Sequence, residues 1–198
     1  MIKYSNGQIF KKKPLKSLKF SRNSSTFSHG NRGMSFEEDI NLSNEYYKAN
    51  DLCLITKRPT PINVVKVDYS KGATITNAYF EKQSTTDYNG VYKGRYIDFE
   101  AKSTLKTTSF PLSNISVHQI CHLKSVIKHG GIAFFIIEFA KVGKVFLLDA
   151  SYVIDFYENG SRKSIPFNDV VLNGHEIKKG FAPRLNYLEI IDKIYVNS

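Results

Sequence analysis

Asp87 is followed, after twelve intervening residues, by Glu100-Ala101-Lys102: two carboxylates and an ammonium whose types and spacing suit one kind of chemistry. In an extended strand alternate side chains face the same way. Asp98, Glu100 and Lys102 therefore share one face, while Ile97, Phe99 and Ala101 point into an apolar layer. A turn through residues 89–94 can bring Asp87 beside Glu100 on an adjacent strand. Paired carboxylates at such a point suit Mg2+, which takes hard oxygen ligands and keeps several waters. A divalent ion there would polarise a phosphodiester and acidify a water. Lys102 would orient that water or balance the charge that builds as the fifth bond to phosphorus forms. Taken alone the pattern is short, and a salt-bridge ladder on an exposed sheet face would produce it too.

The elements that must position these residues follow from patterning. Residues 95–102 read as a strand from their β-branched and aromatic content. Residues 132–139 and 144–148 are apolar strands around a short turn, and 52–56 reads as a buried strand. Ser35-Phe36-Glu37-Glu38 has the form of a capping box, so a helix is expected from there to about residue 50, with Phe36, Ile40 and Tyr47 on one face. Further helices are expected over 113–129, closed by Gly130-Gly131, over 151–157, and over 185–195. Between them, 62–69 and 73–80 flank a turn at Ser70-Lys71-Gly72 and predict a hairpin projecting from the body. Helices alternating with strands predict an α/β fold with a central sheet flanked by helices.

Charge adds the partner class. No Asp or Glu precedes Glu37, so the first 36 residues carry eight basic side chains, whereas the remainder carries 20 basic and 18 acidic ones. A near-neutral body with a cationic arm suits phosphate binding, although a solubilising tail or an acidic-lipid contact would share that composition. Residues 1–30 are expected to form a flexible arm in which Lys11, Lys12 and Lys13 meet nucleic acid. Cys53 and Cys121 read as buried thiols of a reducing compartment. No apolar stretch approaches a membrane span and no secretion signal opens the chain, so a cytoplasmic protein is expected.

Five stretches in order carry a resemblance that covers nearly the whole chain. They are Asn31-Arg32-Gly33-Met34 before the acidic helix, Arg58-Pro59-Thr60-Pro61, Ser84-Thr85-Thr86-Asp87-Tyr88-Asn89-Gly90, the run from Tyr92 to Lys102, and Gly180-Phe181-Ala182-Pro183-Arg184. The catalytic spacing resembles the PD-(D/E)xK nuclease superfamily, and the longer stretches resemble the RecU Holliday junction resolvases. The resemblance implies a restriction-endonuclease-like nuclease domain over 31–198, with a β-hairpin stalk at about 59–82 that enters the junction centre between two subunits of a homodimer. It implies Asp87 and Glu100 as metal ligands, Lys102 as transition-state stabiliser, and Thr85 and Gln119 as further oxygen ligands for Mg2+. Recombinase and branch-migration proteins are implied as partners.

Arg32, Lys66, Lys71 and Lys106 are candidate phosphate contacts, and Phe80 a ring that could stack on unpaired bases or pack at the stalk base. His118 and His122 lie four apart on one helical face, but the Glu of the H-E-x-x-H pattern is missing. Glu38 could lend a further carboxylate. The expected activity is symmetric Mg2+-dependent cutting of four-way DNA junctions, giving 5′-phosphate ends. Two readings stand beside it: a non-catalytic junction-binding accessory protein of recombination, and a restriction-type enzyme acting on duplex DNA.

Overall fold

Residues 29–80 and 85–196 are described in the structure, a computed structural model, with side chains from Ser35 onward. Lys11, Lys12 and Lys13 of the basic arm, the end of the expected stalk at 81–82 and the side chain of Arg32 lie outside the described residues.

The first helix, α1 (His29–Ala49), buries Phe36, Ile40 and Tyr47 along one side, as their spacing predicts. It starts earlier than the Ser35 capping box suggests. Gly30 and Gly33 each disfavour a helix by about 1 kcal/mol relative to Ala, yet the helix runs through both, so local preference is overridden here. Strand β1 (Leu54–Lys57) follows. It is an edge strand, and only Ile55 is buried; Leu52 and Leu54 are half exposed, which corrects the expectation of a buried strand over 52–56. Cys53 is accordingly half-buried, and Cys121 is exposed rather than buried. An apolar neighbourhood in sequence does not bury a thiol when its strand has a partner on one side only.

β2 (Ile62–Asp68) and β3 (Thr74–Phe80) pair only with each other, as a separate two-stranded sheet. Their register slips around Val65, a bulge, and Gly72 with φ +105° turns the tip. Nearly every residue of this hairpin is exposed, including Val64, Val65, Tyr69, Ile75 and Tyr79. That fits the projecting hairpin read from the sequence.

The body continues with β4 (Tyr88–Tyr92), β5 (Arg95–Thr104) and the short β6 (Ser109–Pro111). A 3-10 turn over Leu112–Asn114 interrupts the helix expected from residue 113, and α2 spans Val117–Lys128. β7 (Ile132–Phe139) and β8 (Lys144–Asp149) lie where their apolar runs predict. Then come α3 (Ala150–Asn159), β9 (Ser164–Pro166), α4 (Phe167–Asn173), β10 (His175–Ile177) and α5 (Tyr187–Ile191), closing in a π-helical turn over Asp192–Val196.

The main sheet has the order β1-β4-β5-β7-β8-β10. Every neighbouring pair is antiparallel except β5 and β7, which are parallel and joined by the α2 crossover. The sheet is therefore mixed, with helices on both faces, an α/β fold. On one face Phe36, Ile40, Phe99, Phe134 and Tyr187 form a core, in which Tyr88, Phe99 and Phe134 stack at centroid spacings of 4.8 and 4.7 Å. On the other, Phe135, Ile137 and Leu148 pack under Ile120 and Leu123 of α2 and Val153 of α3. Among the described residues no helix is long and apolar enough to cross a membrane.

Candidate active site

The site is built on one hairpin. β4 and β5 are joined by Lys93 and Gly94, both at positive φ (47° and 76°), the backbone of a tight two-residue turn. This corrects the turn expected over residues 89–94, because Tyr88–Tyr92 is already strand. The register pairs Tyr88 with Phe99, so Asp87, one step before β4, lies against Glu100. Gly90 allows β1 to close on β4: a Cβ there would stand 2.0 Å from the Leu54 carbonyl oxygen.

Because β5 alternates, its apolar residues enter the α1 core while Asp98, Glu100 and Lys102 face the side covered by α2. Glu100 is fully buried and Asp87 nearly so. The Asp87 backbone N–H donates to Glu100 Oε2 at 3.1 Å, and Ala101 N–H donates to Asp87 Oδ2 at 3.3 Å. Glu100 Oε1 receives Lys102 Nζ at 2.6 Å and Gln119 Nε2 at 2.6 Å. The structure thus brings Asp87, Glu100, Lys102 and Gln119 together. Burial, and then the negative charge of Asp87, push the Glu100 carboxyl up to about 8, against the opposing pull of Lys102.

Two repelling carboxylates in a dry pocket are a site at which a divalent cation would relieve the repulsion, and oxygen donors of this kind fit Mg2+. Among the described residues no group of three or more His, Cys, Asp and Glu converges as a metal cage. Gln119 holds Glu100 with its amide nitrogen, while its oxygen accepts the Ser116 N–H at 3.1 Å in the α2 capping box. Serving as an oxygen ligand would require that amide to turn. Thr85 lies in the bend before β4, two residues ahead of Asp87 and on no strand. Glu38 is exposed on α1, whose core-facing residues pack on the opposite face of β5, so it is badly placed to reach Glu100.

Beside this pair lies a second polar cluster that the sequence reading missed. Asp98, fully buried, accepts from Arg58 Nη2 at 2.7 Å, from Tyr96 Oη at 2.8 Å and from Thr86 Oγ, and lies 2.8 Å from His122 Nε2. Arg58 also donates to Thr86 Oγ at 2.6 Å and to Tyr96 Oη at 2.8 Å, and its backbone N–H donates to the Asp87 carbonyl at 2.8 Å. The signals in the sequence were Asp98, a charge two residues from Glu100 on the same strand face, and Arg58 and His122, noted singly for other reasons. His118 stands apart, 3.1 Å from Ser116 Oγ, so the two histidines do not converge.

The remaining candidates are spread over the surface. Lys66 and Lys71 are exposed on the hairpin, and Phe80 at its end is 77% exposed, so it does not pack at the stalk base. Lys106 is exposed beyond β5 and joins Arg162 and Lys163 around a cleft of about 670 Å³ that no carboxylate lines.

Residues 31–193 match the family described as Recombination protein U. A curated relative from Geobacillus sp. (strain WCH70), "Holliday junction resolvase RecU", is 47% identical over 98% of each chain. Relatives of the same description from Geobacillus kaustophilus (strain HTA426) and Shouchella clausii (strain KSM-K16) are 49% and 46% identical. They cover 84% and 99% of this chain, and 86% and 96% of their own. The solved structure of the Archaeoglobus fulgidus Holliday junction resolvase Hjc aligns with 72% of this chain and 94% of its own at 14% identity, with a TM-score of 0.44, too loose a likeness to weigh.

Proposed function

The chain belongs to the RecU family, and from that membership we propose that it is a divalent-metal-dependent endonuclease that resolves four-way DNA junctions. The observation that carries the chemistry is the buried Asp87/Glu100 pair with Lys102 Nζ 2.6 Å from Glu100. Mg2+ held by Asp87 and Glu100, with Thr85 and Gln119 as the further oxygen donors that the family resemblance suggests, would supply Lewis acidity to phosphodiester hydrolysis.

The chain's own residues do the rest. Lys102, partly exposed at the edge of the pocket, meets the scissile phosphate and balances the charge that grows on it in the transition state. Glu100 and Asp87, both buried, mark a poorly screened pocket in which a cation between them and that ammonium would act strongly. The Ala101 N–H holds Asp87, and the Gln119 amide nitrogen holds Glu100 until the amide turns its oxygen to a bound ion. Hydrolysis leaves a 5′-phosphate and a 3′-hydroxyl, as the superfamily resemblance implies.

Substrate shape is read away from the pocket. The β2–β3 hairpin, exposed and tipped by Lys71, enters the junction centre with Lys66 as a phosphate contact and Phe80 as a stacking ring. Lys106, with Arg162 and Lys163, grips the backbone beyond the cut: four residues from Lys102 reach at most about 14 Å. Lys11, Lys12, Lys13 and Arg32 add non-specific affinity. Two copies of the chain match the two-fold symmetry of a junction with two strands to cut. The nuclease domain spans 31–198 behind an arm of residues 1–30, and the protein works in the cytoplasm alongside recombinase and branch-migration proteins.

Incubating an end-labelled four-way junction with and without Mg2+ tests the reading. Paired symmetric cuts should appear with Mg2+ and vanish in Asp87→Ala and Lys102→Ala while junction binding persists. Binding without cutting would make the protein an accessory factor, and cutting confined to linear duplex would make it a restriction-type enzyme.

A further inference from the structure

We propose that Arg58 and Asp98 form a positioning clamp that fixes Asp87 and ties the root of the β2–β3 hairpin to the catalytic strand, so that turnover rather than junction binding depends on it. The inference rests on the nuclease reading above and concerns residues outside the Asp87, Glu100 and Lys102 set.

Position carries the first part of the argument. Arg58 is the first residue after β1, where the chain leaves the sheet, and Thr86 and Asp87 are where it returns: Lys57 and Tyr88 are register partners. Among the described residues the hairpin pairs with no other strand, and a lone two-stranded sheet sets no orientation of its own relative to a body. Pro59 and Pro61 stiffen the path between Arg58 and β2, since each fixes φ. Displacement of the hairpin is therefore felt at Arg58.

Bonding carries the second. The Arg58 guanidinium reaches Asp98, Thr86 and Tyr96 at 2.6–2.8 Å, and its backbone N–H holds the Asp87 carbonyl at 2.8 Å. Thr86, 1% exposed, accepts from Arg58 and donates to Asp98. The backbone of Asp87 is thus held by Arg58 on its C=O and by Glu100 on its N–H, with its neighbour pinned through the side chain. None of these bonds touches Lys102. Burying a carboxylate with its guanidinium is weak support for stability in itself, because an apolar pair of the same volume often does as well. What this pair adds is direction: a fixed geometry for the residue next to the chemistry. A misplacement of about 1 Å at a reacting centre lowers a rate by about 100-fold.

The test uses the full-length protein carrying Arg58→Gln, Asp98→Asn or both, each assayed at the same interval below its own melting temperature. Single-turnover cutting of a four-way junction in Mg2+ is compared with junction affinity in Ca2+. Each single variant should cut about 100-fold more slowly with unchanged affinity, need more Mg2+ for half-maximal rate, and the double should be no worse than the worse single. Arg58→Lys should regain part of the rate, since it keeps the charge but loses the fork. Tyr96→Phe, which removes one hydroxyl from a partly exposed ring, guards against loss of fold and should slow cutting about tenfold. Wild-type rates at matched temperatures, or losses that track junction affinity alone, overturn the clamp. If the wild type itself does not cut the junction, the nuclease reading fails instead.

Discussion

Raising the pH from 6 to 8 should tighten divalent-ion binding to the free protein by up to about 50-fold and, without the ion, lower its stability. Glu100 has no solvent contact, and burial together with the charge of Asp87 pushes its carboxyl to about 8 from an ordinary value of 4.5. A group whose folded value lies above its unfolded value favours the folded chain while protonated. The metal-free protein therefore loses stability as pH rises between about 4.5 and 8, the reverse of a salt-bridged surface carboxylate. Three and a half units at about 1.4 kcal/mol each set a ceiling of about 5 kcal/mol. For a chain of this size that is a melting shift of at most about 10–20 °C. A cation needs both carboxylates ionised, so each pH unit below 8 weakens binding by up to tenfold, with about one proton released per ion at pH 6 and about half of one at pH 8. Calorimetric titration with Ca2+ at pH 6 and 8, in buffers of different ionisation enthalpy, reads both quantities. Glu100→Gln should abolish the proton release and raise the metal-free melting temperature at pH 8 relative to wild type. Equal Ca2+ affinity at the two pH values, with no proton released, would refute the buried-pair account.

Two further outcomes follow from the geometry. Gly90→Ala should destabilise the protein by about 2–4 kcal/mol in a thermal melt, because the added Cβ meets the Leu54 carbonyl oxygen at 2.0 Å and must push β1 off β4. Replacing Lys106, Arg162 and Lys163 together by Gln should leave the single-turnover rate at saturating protein unchanged. It should flatten the dependence of log affinity on log salt by about 2 to 3, one step of about 0.9 per phosphate contact; an unaltered slope would remove the cleft from the DNA path.

The catalytic strand was legible because its periodicity is strong. Charged residues at 98, 100 and 102 against Ile97, Phe99 and Ala101 leave one arrangement of faces, and the apolar runs of β7 and β8 admit only buried strands. The clamp was not legible in the same way. Arg58 and Asp98 are forty residues apart, and only the return of the chain beside β1 makes them neighbours. β6, β9 and β10 are three residues each and exist through long-range pairing, so no local pattern announces them. The apolar run at 52–55 misled because hydrophobicity records what a strand can bury, whereas its place at the sheet edge decides what it does bury. Gln119 was placed at the site by resemblance, yet sequence could not say that its nitrogen, not its oxygen, would face Glu100.

Since Lys57 and Tyr88 stand side by side across β1 and β4, the stretch between the anchors Arg58 and Thr86 is an excursion that begins and ends at one point of the sheet. Six-stranded pairing needs none of it, and a short loop could bridge the gap. Natural variation can therefore lengthen, shorten or restyle this loop without refolding the domain. The fold in this way lets the hairpin change its length and tip while Arg58 and Thr86 at its root stay bonded to Asp98.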